Sequence, residues 1–143
     1  MKKTTIAIAG RYDQGKSETI YLLRDLIRTT HTVKENVFFD DGKDVKVIIE
    51  IGEFKIGIES EGDPDSRQEQ SIKDFITNNC NIIIGACRSR GDTMDVLITT
   101  ENHGYRIIWS RNHRSETVSH SGLNKLSANS ILELLDSILG GHL

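Results

Sequence analysis

Residues 6–20 read IAIAGRYDQGKSETI, and this stretch decides how the chain is interpreted. Four apolar residues are followed by a glycine, four mixed residues, Gly15-Lys16-Ser17 and a segment with helical spacing. The pattern G-x-x-x-x-G-K-S is matched at every fixed position. Glycines let backbone N–H groups approach phosphate oxygens, and the N-terminus of the following helix adds a favourable dipole. Residues 10–17, here called the glycine loop, are therefore predicted to bind phosphate between a strand and a helix.

The composition predicts one folded domain. The chain has 143 residues, a length typical of a single domain, and its hydrophobic fraction of 36% is sufficient for a core. A net charge of -3 without a basic block gives no indication of a nucleic-acid partner. The apolar runs are too short to span a bilayer, and the first of them is interpreted as a strand rather than a signal peptide. We expect a cytoplasmic protein without membrane association, in which Cys80 and Cys87 are free thiols.

Apolar, β-rich runs alternate with amphipathic ones, which predicts an α/β fold. Gly52-Glu53 separates two β-rich runs and indicates an antiparallel hairpin between the second and third strands. Ser66 and Glu69 have capping-box spacing at the start of a helix, and residues 29–44 are expected to form a connecting loop. The sheet is expected to have about five strands and to be mainly parallel apart from that hairpin. The predicted strands lie at residues 5–9, 45–51, 54–58, 81–86 and 105–109, and predicted helices include residues 16–28 and 128–139.

Through the glycine loop and the order of strands and helices after it, the chain resembles the P-loop nucleotide-binding superfamily. The resemblance implies a three-layer fold, binding of a nucleoside triphosphate with Mg²⁺, and phosphoryl transfer to water or to an acceptor. Lys16 would reach the β- and γ-phosphates, and the Ser17 hydroxyl would ligate Mg²⁺. The nucleotide-binding residues are expected to be Gly10, Arg11, Tyr12, Asp13, Gln14, Gly15, Lys16, Ser17 and Glu18.

A P-loop site also needs a carboxylate at the end of a neighbouring strand to hold Mg²⁺. Glu59 ends the third predicted strand and is the first choice for this catalytic and metal-binding role, with Asp63 second. The order Glu-Ser-Glu-Gly at residues 59–62 is similar to the D-x-x-G of small GTPases, whose glycine N–H senses the γ-phosphate. Glu61 or Asp63 would orient the attacking water or accept a proton. The alternative interpretation is a solvated acidic turn followed by a helix cap.

Arginines follow the fourth predicted strand. Strand carboxyl ends face the ligand crevice in open α/β sheets, so Arg88 and Arg90 could lie near the phosphates and neutralise charge there. Arg67 is a weaker third candidate, and Arg111 could stack on a base. The alternative is that these are surface arginines on loops.

The resulting functional hypothesis is a Mg²⁺-dependent NTPase, with ATP favoured over GTP because the N-K-x-D guanine reader of small GTPases is absent. One alternative is a kinase that phosphorylates a nucleotide or small metabolite. Another is a non-catalytic nucleotide-binding switch or scaffold, in which Thr29, Thr30 or Thr32 senses the γ-phosphate. The phosphate acceptor, a protein partner and a homodimer that completes the site all remain open.

Overall fold

The computed structural model of the chain describes residues 1–10, 15–88 and 92–143. Strands and helices alternate along most of this length, as the hydrophobic pattern predicts. In chain order the elements are β1 (Thr4–Ala9), α1 (Lys16–Thr30), β2 (Lys34–Asp40), β3 (Val45–Ile51), β4 (Phe54–Glu59), α2 (Gln68–Thr77), β5 (Ile82–Cys87), α3 (Asp92–Ile98), a 3-10 helix (Thr99–His103), β6 (Arg106–Arg111) and α4 (His120–Leu139).

The described strands form one mixed sheet in the order β2-β3-β4-β5-β1-β6. Strands β4, β5, β1 and β6 are parallel, whereas β2, β3 and β4 pair antiparallel. The α/β class and the hairpin are confirmed, and Gly52 at the hairpin turn has the positive φ of 58° that favours glycine. The order also corrects one expectation. β4, which carries Glu59, does not neighbour β1, because β5 lies between them.

The expected count of about five strands was wrong, because residues 29–44 contain β2. β2 pairs with β3 at the edge of the sheet, and most of its residues are exposed. A register shift between Val37 and Phe39 interrupts the pairing. An exposed, irregular edge strand lacks the alternation of apolar and polar residues by which strands are recognised.

Helices cover both faces of the sheet. α1 and α4 pack together on one face, where Ile20, Leu23 and Ile27 join a core with residues of α4. α2 and α3 cover the other face through residues such as Phe75 and Leu97. β1 and β5 are buried along their whole length, as expected for parallel strands covered on both sides.

Two helix boundaries differ from the predictions. α2 begins at Gln68 with Arg67 as its N-cap, so the predicted capping box of Ser66 and Glu69 is not formed. α4 begins at His120, eight residues before the predicted start at residue 128. Its first two turns are largely polar, and they are held by tertiary hydrogen bonds that local sequence patterns do not reveal.

Candidate functional site

A cleft of about 680 Å³ opens at the carboxyl end of the parallel strands. It lies between the first turns of α1, the turn that joins β2 to β3, and the segment after β4. This is the edge at which open α/β sheets bind ligands. The residues that line it are Gly15, Lys16, Ser17, Glu18, Tyr21, Leu22, Gly42, Lys43, Asp44, Ser60, Glu61, Gly62, Asp63 and Ser66.

The described part of the glycine loop is anchored at both of its ends. The Gly10 N–H donates to the Cys87 carbonyl of β5 at 3.1 Å. The Lys16 Nζ donates to the Gly10 carbonyl at 2.8 Å, so the ammonium joins the end of the loop to its beginning. Lys16 is only 7% exposed, yet it lines the cleft. The other predicted binding residues of the loop, Arg11, Tyr12, Asp13 and Gln14, lie outside the described residues.

Ser17 connects the glycine loop to the end of β4. Its hydroxyl donates to the Ser60 carbonyl at 3.3 Å, although β5 separates β1 from β4 in the sheet. The Ser17 hydroxyl shares the cleft with the carboxylates of Asp44, Glu61 and Asp63. Oxygen ligands of this kind are those that Mg²⁺ prefers.

The described residues contain no group of three His, Cys, Asp or Glu side chains arranged to hold a metal ion. Mg²⁺ sites in phosphoryl-transfer proteins are commonly built from one or two protein oxygens, substrate phosphates and water. Ser17, Glu61 and Asp63 line the cleft, and the side chain of each carries an oxygen of this kind.

Glu59 is fully buried and does not line the cleft. Arg67 donates to both of its carboxylate oxygens, from Nε at 2.8 Å and from a terminal nitrogen at 2.9 Å. The Ser71 hydroxyl donates to Oε1 at 2.6 Å, and the Glu61 N–H donates to Oε2 at 3.1 Å. The predicted metal ligand is therefore the carboxylate of a buried ion pair, and both of its oxygens accept hydrogen bonds from protein groups.

Arg67 organises the acidic segment around it. A guanidinium nitrogen lies 3.4 Å from Glu61 Oε1, and the guanidinium stacks 4.0 Å from the centre of the Phe39 ring. Gly62 packs against β5 so closely that a β-carbon there would lie 2.5 Å from the Ala86 carbonyl oxygen. This close packing gives a structural reason for a glycine at residue 62, which the resemblance to small GTPases linked to a phosphate sensor.

Asp63 and Arg88 meet at the ends of neighbouring strands, with 3.5 Å between Asp63 Oδ1 and Arg88 Nε. Asp63 lines the cleft. The Arg88 backbone N–H donates to the Thr93 hydroxyl of α3 at 3.0 Å, which fixes the backbone at residue 88. The structure thus brings one predicted arginine to one predicted carboxylate. Arg90 lies outside the described residues.

Other predicted residues do not line the cleft. Thr29 and Thr30 form the last turn of α1 and donate to the Leu26 carbonyl. With a helical rise of 1.5 Å per residue, they lie roughly 20 Å along the helix from Lys16, too far to sense a phosphate there. Arg111 is exposed at the end of β6, where it pairs in register with Ala9 of β1.

Cys80 and Cys87 are free, as predicted, and both are buried. Burial raises the pKa of the Cys87 thiol to about 11 and that of Cys80 to about 12. Both groups are thiols near neutral pH, so neither has the thiolate character of a nucleophile. Cys87 contributes its carbonyl, rather than its sulfur, to the glycine loop.

Sequence reasoning missed two buried amides, Asn112 after β6 and Asn124 in α4. They hydrogen-bond to each other and reach the first turns of α1. Asn124 occurs in a polar stretch with the composition of a loop, so only the tertiary structure identifies it.

Comparisons of this chain with protein-family models, with curated proteins and with solved structures find no match. Among the described residues, no helix has both the length and the apolar character needed to cross a membrane.

Proposed function

We propose that residues 10–17 bind the phosphates of a nucleoside triphosphate, and that the chain is a Mg²⁺-dependent NTPase of the P-loop type that prefers ATP to GTP. The observation that carries the proposal is Lys16. The residue is only 7% exposed, its ammonium donates to the Gly10 carbonyl, and it lines a cleft at the N-terminus of α1. Anions favour a helix N-terminus, and a preorganised cation beside it strengthens that preference.

Different residues of the cleft bind the phosphates and the cation. Lys16 binds the terminal phosphates, and the backbone N–H groups at the start of α1 add further donors. The Ser17 hydroxyl, together with Glu61 or Asp63, would hold the cation. When bound, Mg²⁺ would offset the charge of the β- and γ-phosphate oxygens during transfer. A carboxylate in the cleft that does not bind the cation can orient the attacking water.

Glu59 takes a different role in this proposal from the one its position in the sequence suggested. It supports the fold after β4, because its carboxylate accepts hydrogen bonds from Arg67 and from the Glu61 N–H and lies outside the cleft lining. Arg88 does not line the cleft, and it contributes to the site through its ion pair with Asp63.

A kinase is the second candidate, favoured by the extent of the cleft. The cavity continues from Ser17 past Tyr21 and Leu22 to the turn at residues 42–44. Tyr21 and Leu22 give this part of the cleft an aromatic and an apolar surface, which phosphate binding alone does not require. Leu22 and the carboxylates of the lining are complementary to a phosphate acceptor that has one apolar and one polar side.

Calorimetric titration of the wild type with ATP and with GTP, each in Mg²⁺, tests the proposal. We expect micromolar binding of ATP, weaker binding of GTP and a loss of about a hundredfold in Lys16→Ala. Lys73→Ala removes the same charge from an exposed position on α2, and it should bind like the wild type. Absence of binding by the wild type would overturn the proposal.

Turnover measurements then distinguish NTPase activity from kinase activity. Phosphate release without an added acceptor supports the NTPase. ADP formation that requires an added hydroxyl compound supports the kinase.

A further inference from the structure

Three polar side chains are buried behind the glycine loop, outside the cleft. Thr19 in α1, Asn112 after β6 and Asn124 in α4 are each 7% exposed or less. None of them lines the cleft. Buried hydroxyl and amide groups are costly unless they are hydrogen-bonded, so their partners show what they hold in place.

The three side chains form a chain of hydrogen bonds that begins and ends on the first turns of α1. The Thr19 hydroxyl donates to Asn112 Oδ1 at 2.5 Å, and Asn112 Nδ2 donates to Asn124 Oδ1 at 2.9 Å. Asn124 Nδ2 then donates to the Glu18 carboxylate at 2.9 Å. Both ends of the Asn124 amide are thus engaged, which fixes its rotamer and orientation.

The same amide lies directly against the glycine loop. A β-carbon on Gly15 would be 2.5 Å from Asn124 Nδ2, 2.7 Å from Oδ1 and 3.0 Å from Cγ. Gly15 has a left-handed φ of 71° and immediately precedes the first residue of α1. The Asn124 side chain therefore occupies the space next to Gly15 and limits how the loop can enter the helix.

We infer that Asn124 is a positioning residue for nucleotide binding, acting through Gly15 and Glu18 without touching the ligand. The inference rests on the proposed function of residues 10–17. It adds that α4, which contributes nothing to the cleft lining, sets the geometry of the phosphate-binding backbone. Phosphate recognition by backbone N–H groups depends on placement to a fraction of an ångström, so a small shift of residue 15 weakens it.

The test compares two variants of the same helix. Asn124→Ala removes the amide beside Gly15. Ser127→Ala removes a side chain of similar burial, which accepts a hydrogen bond from the His113 N–H at 2.9 Å. We expect the Mg²⁺–ATP affinity to fall about tenfold in Asn124→Ala, within the range seen for residues that act without contacting a ligand. Ser127→Ala should keep nearly the wild-type affinity, although both variants lose thermal stability.

A second variant covers the case in which Asn124→Ala fails to fold. Asn124→Asp keeps the side-chain volume but replaces the Nδ2 donor with a carboxylate facing Glu18. We expect at least as large a loss of affinity. Unchanged affinity in the folded variants, or an equal loss in Ser127→Ala, overturns the inference.

A thermal double-mutant cycle separates this inference from the proposed function. Because Asn124 crowds the β-carbon of an alanine at position 15, the loss of melting temperature caused by Gly15→Ala should shrink by about half in an Asn124→Ala background. If the effects of Gly15→Ala and Asn124→Ala on the melting temperature are simply additive, the contact between Asn124 and residue 15 is overturned. A wild type that does not bind ATP but shows the coupling overturns the proposed function and leaves Asn124 as a packing residue alone.

Discussion

The loop after β1 and the segment after β4 make an instructive comparison, because each places a buried charge at the carboxyl end of a parallel strand. Lys16 lines the cleft and its ammonium reaches a backbone carbonyl. Glu59 lies outside the cleft lining, and its carboxylate receives hydrogen bonds from Arg67, Ser71 and a backbone N–H. A buried charge at a strand end is therefore insufficient evidence of a ligand site. Its access to the cleft and the nature of its partners separate a binding group from a structural one.

Arg67→Ala should show the largest effect on stability. The substitution leaves the Glu59 carboxylate buried without its ion-pair partner, which costs about 3–5 kcal/mol of unfolding free energy. Urea unfolding provides the measurement. Arg114→Ala breaks an exposed pair with Glu116 and should cost about 1 kcal/mol or less. Similar losses in the two variants would contradict the structural role of the Glu59 pair.

Gly15→Ala should have the next largest effect. A left-handed alanine costs about 1–2 kcal/mol, and the clash with the Asn124 side chain adds an overpacking term of about 1–3 kcal/mol. Gly42 has a similar φ of 87°, but nothing lies within 4 Å of its β-carbon position. Gly42→Ala therefore measures only the free-energy cost of placing an alanine in the left-handed backbone conformation. Equal destabilisation of the two variants in urea would show that the loop is not packed as described.

The smallest effect on stability is expected at Asp40, because its carboxylate is partly exposed and its interactions are screened by solvent. Hydrogen bonds from Arg24 and Tyr21 lower the pKa of Asp40 from 3.8 to about 2. Since the folded-state pKa is depressed, the stabilisation is complete above pH 3.8 and is lost as the pH falls towards 2. The difference in melting temperature between the wild type and Asp40→Asn should narrow over this interval. A difference that stays constant down to pH 2 would contradict the shifted pKa.

The parts of the fold that could be predicted are those with local signals. β1, α1 and the β3–β4 hairpin follow from apolar periodicity and glycine placement, because those elements bury one face or both. β2 was not predicted, because an exposed edge strand has no such pattern. Its strand conformation depends on pairing with β3.

The site shows the same division between local and tertiary information. The spacing of the glycine loop identified Lys16 and Ser17, both of which line the cleft. The partner of Glu59 could not be inferred, since Arg67 lies eight positions further along the chain in an irregular segment. Asn124 reaches Glu18 across more than a hundred residues of sequence, and only packing of α4 on α1 creates that contact.

Binding of a fluorescent ATP analogue with Mg²⁺, measured in parallel for the wild type, Lys16→Ala and Glu59→Gln, tests the central claim most directly. The claim is that the loop after β1 binds the nucleotide, whereas the buried charge after β4 supports the fold. We expect micromolar binding by the wild type, a loss of about a hundredfold in Lys16→Ala and less than about a threefold change in Glu59→Gln. Equal losses in the two variants, or no binding by the wild type, would contradict it.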